Sequence, residues 1–557
     1  MPKLSVPAGH VSGRRKWYGL AALAAGLSLI VLDGTIVGVA LPAIIADLGL
    51  DLVDAEWVNS VYAIVFAALL LSFGRLGDRT GRRRVFVLGV ALFAAASVTA
   101  ALATDVGGLI ASRAVQGIGG AMVLPASLSS VNATFRGKDR AAAFGVWGAV
   151  MAGMAAVGPL LGGWLTTALD WRWIFFVNVP LALIVVVAAL LVVDETRADG
   201  PHPPGSDVVG LLTSALGFGL LVFGLIEGSD LGWWRPTAPL ELGPVTWPTT
   251  APISASPVAL ALGAVFIVAF LLNEHHRARR TLSAILDLRL FGISTFSWGN
   301  VTALTVAVGE FALVFVLPLY LVNVLGLSIL GAGVVLAVMA AGAFVAGASA
   351  RHLAAAMSPQ GVVVLGLGLE VVGVGALALL INATTPPWLV ATCLGVYGVG
   401  LGLAAAQLTS LILADVPTAR SGTGSATQST VRQVGSALGS AVAGTVLAAR
   451  LSSVLLAHVT AVPGVPGPVA QQLADATTHS AGGAIAAMRA SGTDGTLGAL
   501  GPQVVDALSA GFADAASTSI GVAAGFLVLG LAGALLVARR VDRAAPRPEE
   551  TRVTTAP

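Results

Sequence analysis

The chain has 557 residues, of which 56% are hydrophobic and 10% charged. A soluble domain carries about 25% charge, so a soluble enzyme is excluded. The formal net charge of +2 points to no nucleic-acid partner.

Apolar runs longer than about 18 residues recur along the chain, the mark of an all-α polytopic membrane protein. In chain order, spans are expected at 17–46, 56–77, 84–103, 108–133, 140–167, 172–193, 207–227, 255–273, 292–323, 328–350, 360–382, 388–413, 422–449 and 516–538. That makes fourteen transmembrane helices. Arg14, Arg15 and Lys16 precede a first apolar segment too long for a leader, so no cleavable signal peptide is expected. The single cysteine, Cys393, excludes an internal disulfide and a thiolate metal cluster.

The charges orient the spans. Arg14 to Lys16, the 74–84 loop, Arg136, Lys138 and Arg140, Arg197, the His275 to Arg280 cluster, Arg351 and His352, Arg420, and Arg539, Arg540 and Arg543 fall on one face. Lys and Arg resist translocation, so this face and both termini are expected in the cytoplasm. The high Ala, Gly, Val and Arg content resembles a bacterial proteome, so the chain is expected to be multi-pass in a bacterial cytoplasmic membrane. Trp57, Trp171, Trp173, Trp233, Trp234 and Trp388 mark the opposite interface. The spans divide into six, two and six. The expected units are a tail (1–16), a first bundle (17–193), a linker with two extra spans (194–290), a second bundle (291–538) and a tail (539–557). The second bundle contains the opposite-face segment 450–515. That segment reads either as a flexible spacer or as a helical lid, with helix over Val469 to Met488.

Four stretches carry the chemistry. The loop Gly74-Arg75-Leu76-Gly77-Asp78-Arg79-Thr80-Gly81-Arg82-Arg83-Arg84 is a compact basic hinge. Its glycines permit a tight turn, and Asp78 is expected to accept from the N–H groups that open the next helix. Asp33 lies about sixteen residues from the start of its span and about thirteen from its end, near the bilayer midplane. A carboxylate there costs at least about 2.5–3.5 kcal/mol, which marks it as a candidate proton or cation site. Arg113, in the fourth span, must find an anion or carbonyls, and Gln116 shares its face. The fifth span carries Gly153, Gly158, Pro159, Gly162 and Gly163, a pattern that lets helices approach closely and kink.

Together these stretches resemble the major facilitator superfamily. The hinge matches the superfamily pattern at Gly74, Leu76, Gly77, Asp78, Arg79, Gly81, Arg82 and Arg83. Leu109, Arg113, Gln116, Gly117, Gly119 and Gly120 match its fourth-helix pattern. Leu32-Asp33-Gly34-Thr35-Ile36-Val37, Gly158-Pro159-Leu160-Leu161-Gly162-Gly163 and the run from Asp170 to Pro180 resemble its fourteen-helix drug:proton antiporter branch, the EmrB/QacA-like multidrug efflux transporters. The resemblance implies two six-helix bundles with two inserted helices, export rather than uptake, and drive by a proton gradient without a cofactor. The implied partners are a small amphipathic substrate, protons and the bilayer, with a monomer expected. It also implies a conformational gate at Gly74, Gly77, Asp78, Arg79, Gly81 and Arg82. Two readings stand beside multidrug export: a dedicated exporter of one metabolite, and a non-transporting membrane receptor.

The second half is plainer. Its hinge counterpart, Ala350-Arg351-His352-Leu353, lacks the aspartate. Glu310 and Glu370 are carboxylates inside apolar runs, and Glu310 is favoured as a second proton or substrate group. Gln428 and Arg432 share a helix face, Asn300, Gln407 and Gln433 add polar groups, and Phe311, Phe315, Tyr320 and Trp147 are a candidate aromatic wall. No phosphate-binding loop and no metal-ligand spacing among the histidines is found, so neither an enzyme nor an ATP-driven pump is expected.

Overall fold

The computed structural model describes residues 13–135, 137–197, 207–242, 245–280, 282, 284–417, 420–495 and 497–544. Arg136 and the prolines at 201, 203 and 204 lie outside the described residues. So do the side chains of Lys138, Arg140, Trp147, Arg351, Arg539, Arg540 and Arg543, and the surroundings of Gly153.

The helices follow the apolar runs. They are α1 (Gly13–Leu48), α2 (Leu52–Thr80), α3 (Arg82–Ala101), α4 (Val106–Thr134), α5 (Gly137–Ala168), α6 (Trp173–Phe176) and α7 (Asn178–Val192). Then come α8 (Val208–Ile226), α9 (Gly228–Leu231), a small hairpin of β1 (Leu240–Leu242) and β2 (Val245–Trp247), and α10 (Ala255–Arg279). The rest are α11 (Ser294–Leu319), α12 (Ile329–Met357), α13 (Pro359–Leu380), α14 (Pro387–Ile412), α15 (Ser421–Thr460), α16 (Gly467–His479), α17 (Gly483–Ser491) and α18 (Gly501–Ala544). Among the described residues, 13 helices are long and apolar enough to cross a membrane. The remaining expected span, 140–167, falls on α5. Starts are capped where the sequence places an acid: Asp51 accepts from Asp54 N–H at 2.7 Å to open α2, and Asp105 from Gly108 N–H at 2.8 Å to open α4.

Three departures from the expected spans have physical causes. The run 172–193 breaks between α6 and α7, just before Pro180, which supplies no amide hydrogen for the chain to continue one ladder. The run 292–323 ends in a wider π-turn, Tyr320–Val324, directly after Pro318. The segment 450–515 is mostly helical. α15 runs 40 residues and α18 runs 44, both well past their apolar stretches, and α16 and α17 lie between them. Its Ala-rich composition favours helix without the hydropathy that marks a span. α17 is pinned to the π-turn: Arg489 donates to Asn323 O at 3.0 Å and Val324 O at 2.7 Å, and Asn323 donates to Ala481 O at 2.9 Å.

One end of the structure carries the start of α1 beside the exit of α7, where Arg15 pairs with Asp194 at 3.5 Å. At the opposite, far end a single apolar core joins both halves. It runs through Ile44, Leu50, Trp171 and Phe175 of the first half and Tyr320, Leu394, Leu455 and Phe512 of the second. At the terminus end the first half keeps a separate core of Leu27, Phe66, Phe86, Phe93 and Phe135, joined by Ile285 and Leu286 of the linker. The halves are therefore sealed together at the far end.

Close backbone approach makes this packing possible. In α13 a Cβ added at Gly373 would lie 2.6 Å from Tyr397 N and 2.8 Å from Cys393 O, whereas one at Gly375 meets nothing within 4 Å. Gly373→Leu should therefore lower the thermal midpoint of the detergent-solubilised protein, by the equivalent of about 1–3 kcal/mol. Gly375→Leu, on the same helix, should leave it nearly unchanged.

Candidate functional site

Asp33 and Arg113 form a fully enclosed ion pair between α1 and α4; neither side chain is more than 2% exposed. Charges this dry persist only when every lone pair and proton is matched. Arg113 also donates to Gln116 Oε1 at 2.8 Å and, through Nε, to Val58 O at 3.3 Å, and its guanidinium lies 4.5 Å from the Tyr62 ring centre. The second Asp33 oxygen accepts from Gln116 Nε2 and Asn178 Nδ2, each at 3.1 Å. Ser97 accepts from the same two amides, at 2.8 and 3.3 Å. Five helices thus converge on one carboxylate: α1, α2, α3, α4 and α7.

The structure brings Asp33, Arg113 and Gln116 together. Sequence reasoning missed Asn178, Ser97 and Tyr62. Asn178 was legible as the one amide in the apolar run after Trp173, but its reach to α1 depends on the α6–α7 break. Glu56 was also missed, because it lies beside the interfacial Trp57 at the edge of its span. It is wholly buried with no hydrogen-bond partner for either oxygen, and it packs against Gly444 where α2 meets α15. Nearby on the same seam Ser60 and Ser440 hydroxyls lie 2.9 Å apart.

The glycines of α5 sit one turn from the ion pair. A Cβ at Gly158 would run into the Thr35 hydroxyl, and one at Gly162 would lie 2.7 Å from Ile36 Cγ1. The other side of the stretch abuts the second half: a Cβ at Gly163 would lie 3.0 Å from Ile329 O and Leu330 Cα, and one at Gly333 would lie 2.5 Å from Pro159 O. Gly158 to Gly163 is therefore the crossing where α5 touches α1 on one side and α12 on the other.

The hinge between α2 and α3 turns at Gly81, whose φ of 126° lies where side chains are strained. Asp78 does not cap α3. It lies inside the last turn of α2 and binds Arg82 Nε at 2.9 Å. The capping acid is Glu195, which accepts from Arg83 N–H at 3.1 Å and lies 3.7 Å from Arg84 Nε. Arg82 N–H donates to Thr196 O at 3.0 Å and Arg83 Nη1 to Val193 O at 3.1 Å. The hinge is thus docked on the exit of α7. The expectation for Asp78 failed because α2 runs past it, leaving no free N–H within its reach. Gly74 approaches Pro125 of α4, and Gly77 approaches Val85. Arg75 and Arg79 also engage partners.

In the second half Glu310 binds Arg432 through both oxygens, at 3.0 and 3.2 Å, and Gln428 donates to Thr409 at 2.9 Å. All four line one small cavity of about 30 Å³ between α11, α13, α14 and α15, together with Glu370. Phe315 and Tyr320, expected in an aromatic wall, do not line this cavity. Phe315 and Tyr320 are buried in the far-end core, where Tyr320 donates to Asn382 O at 2.7 Å. Asn300 bonds within its own helix, to Phe296 O at 2.8 Å. No group of three or more candidate metal ligands occurs among the described residues.

An all-α bundle of long apolar helices with an ion pair enclosed between two of them is the fold of a polytopic membrane protein. The sequence pattern of the Major Facilitator Superfamily matches residues 23–440, and the chain belongs to that superfamily. It is 33% identical over 465 residues to the probable actinorhodin transporter of Streptomyces coelicolor, covering 81% of this chain and 76% of that one. It is 30% identical over 527 residues to the multidrug efflux pump LfrA of Mycolicibacterium smegmatis, covering 94% and 97%. Its fold is similar to a crystal structure of a bacterial homologue of the human lysosomal transporter Spinster, inward-facing and unoccupied. There the TM-score is 0.61 at 18% identity, over 97% of this chain and 100% of that one.

Removing one partner of a dry ion pair strands the other. Asp33→Leu should destabilise the protein by about 3–5 kcal/mol, and adding Arg113→Met should restore most of that loss. Chemical unfolding of the three proteins checks this. Equal instability of the single and double variants would show that the pair is not what holds α1 to α4.

Proposed function

We propose that the chain exports small lipophilic compounds across the cytoplasmic membrane by alternating access, driven by proton exchange at Asp33. Export of such compounds is what the superfamily membership and the names of the two relatives support. The observation that carries the proton coupling is the enclosed Asp33–Arg113 pair, one turn from the α1–α5–α12 crossing. When Asp33 is ionised, Arg113, Gln116 and Asn178 hold α1 against α4 and α7. A proton on Asp33 removes the charge that Arg113 faces, and α1 is then free to shift where Thr35 and Ile36 meet Gly158 and Gly162. Because α5 touches α12 through Gly163, that shift reaches the second half.

In this reading the chain has fourteen membrane helices, two six-helix bundles at 17–193 and 291–538 with two inserted helices between them. Both termini are cytoplasmic, and the far end faces outward. The far-end core then closes the outer side in the state described, and the cavity beside Glu310 is reached from the terminus end. The hinge at Gly74, Gly77, Asp78, Arg79, Gly81 and Arg82, docked on Glu195, is the inner gate. The chain acts as a carrier and performs no covalent chemistry, and it works as a monomer without a cofactor. A narrower reading, export of a single compound, is favoured by the actinorhodin relative. A resistance profile limited to one compound, against a broad panel, separates the two.

Asp33→Asn keeps an acceptor for Arg113 but has no proton to exchange. In everted vesicles with an acidified lumen, compounds that release a pH-quenched dye in the wild type should release none in this variant. Undiminished drug-driven proton movement there would remove Asp33 from the coupling. At the hinge, Asp78→Asn and Glu195→Gln should each slow turnover at least about tenfold while leaving substrate Kd within about twofold. Normal turnover with a raised Kd would place these acids in binding rather than switching.

A further inference from the structure

A second and larger cavity, of about 360 Å³, lies at the far end between the α1–α2 turn, α9, α15 and α16. Three aspartates reach it from three elements: Asp51 from the turn, Asp230 from α9 and Asp475 from α16. Among the described residues no lysine or arginine lines it, and His479 is its one titratable nitrogen. Arg450, the next basic side chain along α15, is engaged with Asp514 at 2.9 Å. The donors that do reach these acids are neutral. Asp51 accepts from Asp54 N–H at 2.7 Å, and Asp475 from the Gln471 amide at 2.9 and 3.1 Å. The negative charge is therefore left standing. Burial, and after it the Asp51 charge, push the Asp230 carboxyl above the usual carboxylate range, while His479 and Ser229 pull it down.

Glu56 deepens the same field from below. It lies one turn along α2 from Leu52 and Val53, which line the cavity, and its carboxyl abuts Gly444, one turn along α15 from Ala448, which also does. It is wholly buried, neither oxygen has a hydrogen-bond partner, and the charges it faces are Asp230, Glu227 and Asp51, all negative. The rest of the lining suits an apolar body. Leu52, Val53 and Ala448 form a floor, and Trp233 adds an aromatic ring held against α9, where a Cβ at Gly228 would come within 2.7 Å of it. Trp233, Asp475 and His479 are exposed, so the cavity opens to solution although the two halves are sealed beneath it. Its volume is that of a pocket for a drug-sized molecule, in the range of about 300–1,000 Å³. The acids stand around this space rather than closing on one point, and no group of three or more candidate metal ligands occurs among the described residues. The matching ligand is a bulky cation with its charge spread out.

We infer that this cavity is a binding site for a lipophilic organic cation, filled directly from the far-end solution without opening the seal between the halves. Asp51, Asp230 and Asp475 hold the charge, and Trp233 and the apolar floor hold the body. That the site faces outward rests on the export reading; that it binds a cation does not. In that reading it is a resting place for cations outside the closed gate, set apart from Asp33 and from the Glu310 cavity. A neutral compound of the same shape gives the aspartates nothing to pair with, and an anion is repelled.

The test uses the purified full chain in nanodiscs, where both faces meet solution, and a triphenylphosphonium probe with a diazirine on its benzyl arm. Light expels N₂ from the diazirine, and the carbene left behind inserts into a neighbouring C–H bond, so peptide mass mapping locates the adduct. The expected adducts fall on the segment around Trp233 and on α16. An excess of tetraphenylphosphonium should reduce them at least about tenfold, and the neutral triphenylphosphine oxide should not. Asp230→Asn combined with Asp475→Asn should raise the Kd at this site at least about tenfold. Trp233→Leu should raise it about threefold or more, with Trp233→Phe restoring most of the loss. Asp475 is exposed, so if the double variant fails to fold, Asp475→Asn alone decides, with weaker labelling expected. The inference is overturned by labelling that spares the far end, by far-end labelling that loss of these acids leaves undiminished, or by equal competition from the neutral oxide. Far-end labelling without compound-driven proton movement in everted vesicles would leave the site and sink the export reading. Compound-driven proton movement without far-end labelling would do the reverse.

Discussion

A charge inside a bilayer has no water to fall back on, and the packing of the first half is organised around that constraint. Asp33 is matched by a guanidinium and two amides contributed by different helices, and each of those donors is itself held by a further group. Ser97 accepts from both amides and Tyr62 lies against Arg113. The arrangement fixes α1 against α4 and α7 while Asp33 carries its charge, and it fixes them less when that charge is gone. A buried ion pair adds little to stability beside an apolar replacement. In the proposed function its value is that its strength depends on one proton.

In that proposal the glycine stretch of α5 gives the proton a mechanical consequence. Helices packed through side chains resist small shifts because knobs must leave their holes. At this crossing Gly163 meets the backbone of α12, while Gly158 and Gly162 leave notches that the Thr35 and Ile36 side chains of α1 fill. The crossing sits between the ion pair and the second half. The apolar core at the far end, continuous across both halves, is the seal that such rocking must open. Glu56 is buried without a partner on the α2–α15 seam, at the same end.

Much of this was legible in the sequence, for a physical reason. Apolar length and the positions of Lys and Arg are read directly by a membrane, so the spans and the basic hinge stood out. Asp33, Arg113 and Gln116 stood out because polar groups are conspicuous in apolar runs. What was not legible depended on geometry between helices. Asn178 reaches Asp33 only because the chain breaks before Pro180. Glu195 caps α3 because α7 ends beside it, over a hundred residues away in sequence. Phe315 and Tyr320 looked like cavity walls, but both are buried in the far-end core. The segment 450–515 was ambiguous because helix propensity and hydropathy part company in Ala-rich sequence. Glu310 was favoured over Glu370 in the sequence, but that Arg432 pairs with Glu310 and not with Glu370 shows only in the structure.

The central claim is that the protonation of Asp33 sets the arrangement of the two halves. It is tested most directly by measuring a distance across the far end as pH is varied, with no substrate present. Spin labels on Leu169, at the exit of α5, and Thr384, between α13 and α14, span the two halves and are solvent-exposed. The single native cysteine, Cys393, is buried. The account predicts a distance distribution that shifts with pH in the otherwise wild-type protein and is the same at every pH once Asp33 is replaced by Asn. An identical pH-dependent shift in both proteins would contradict it.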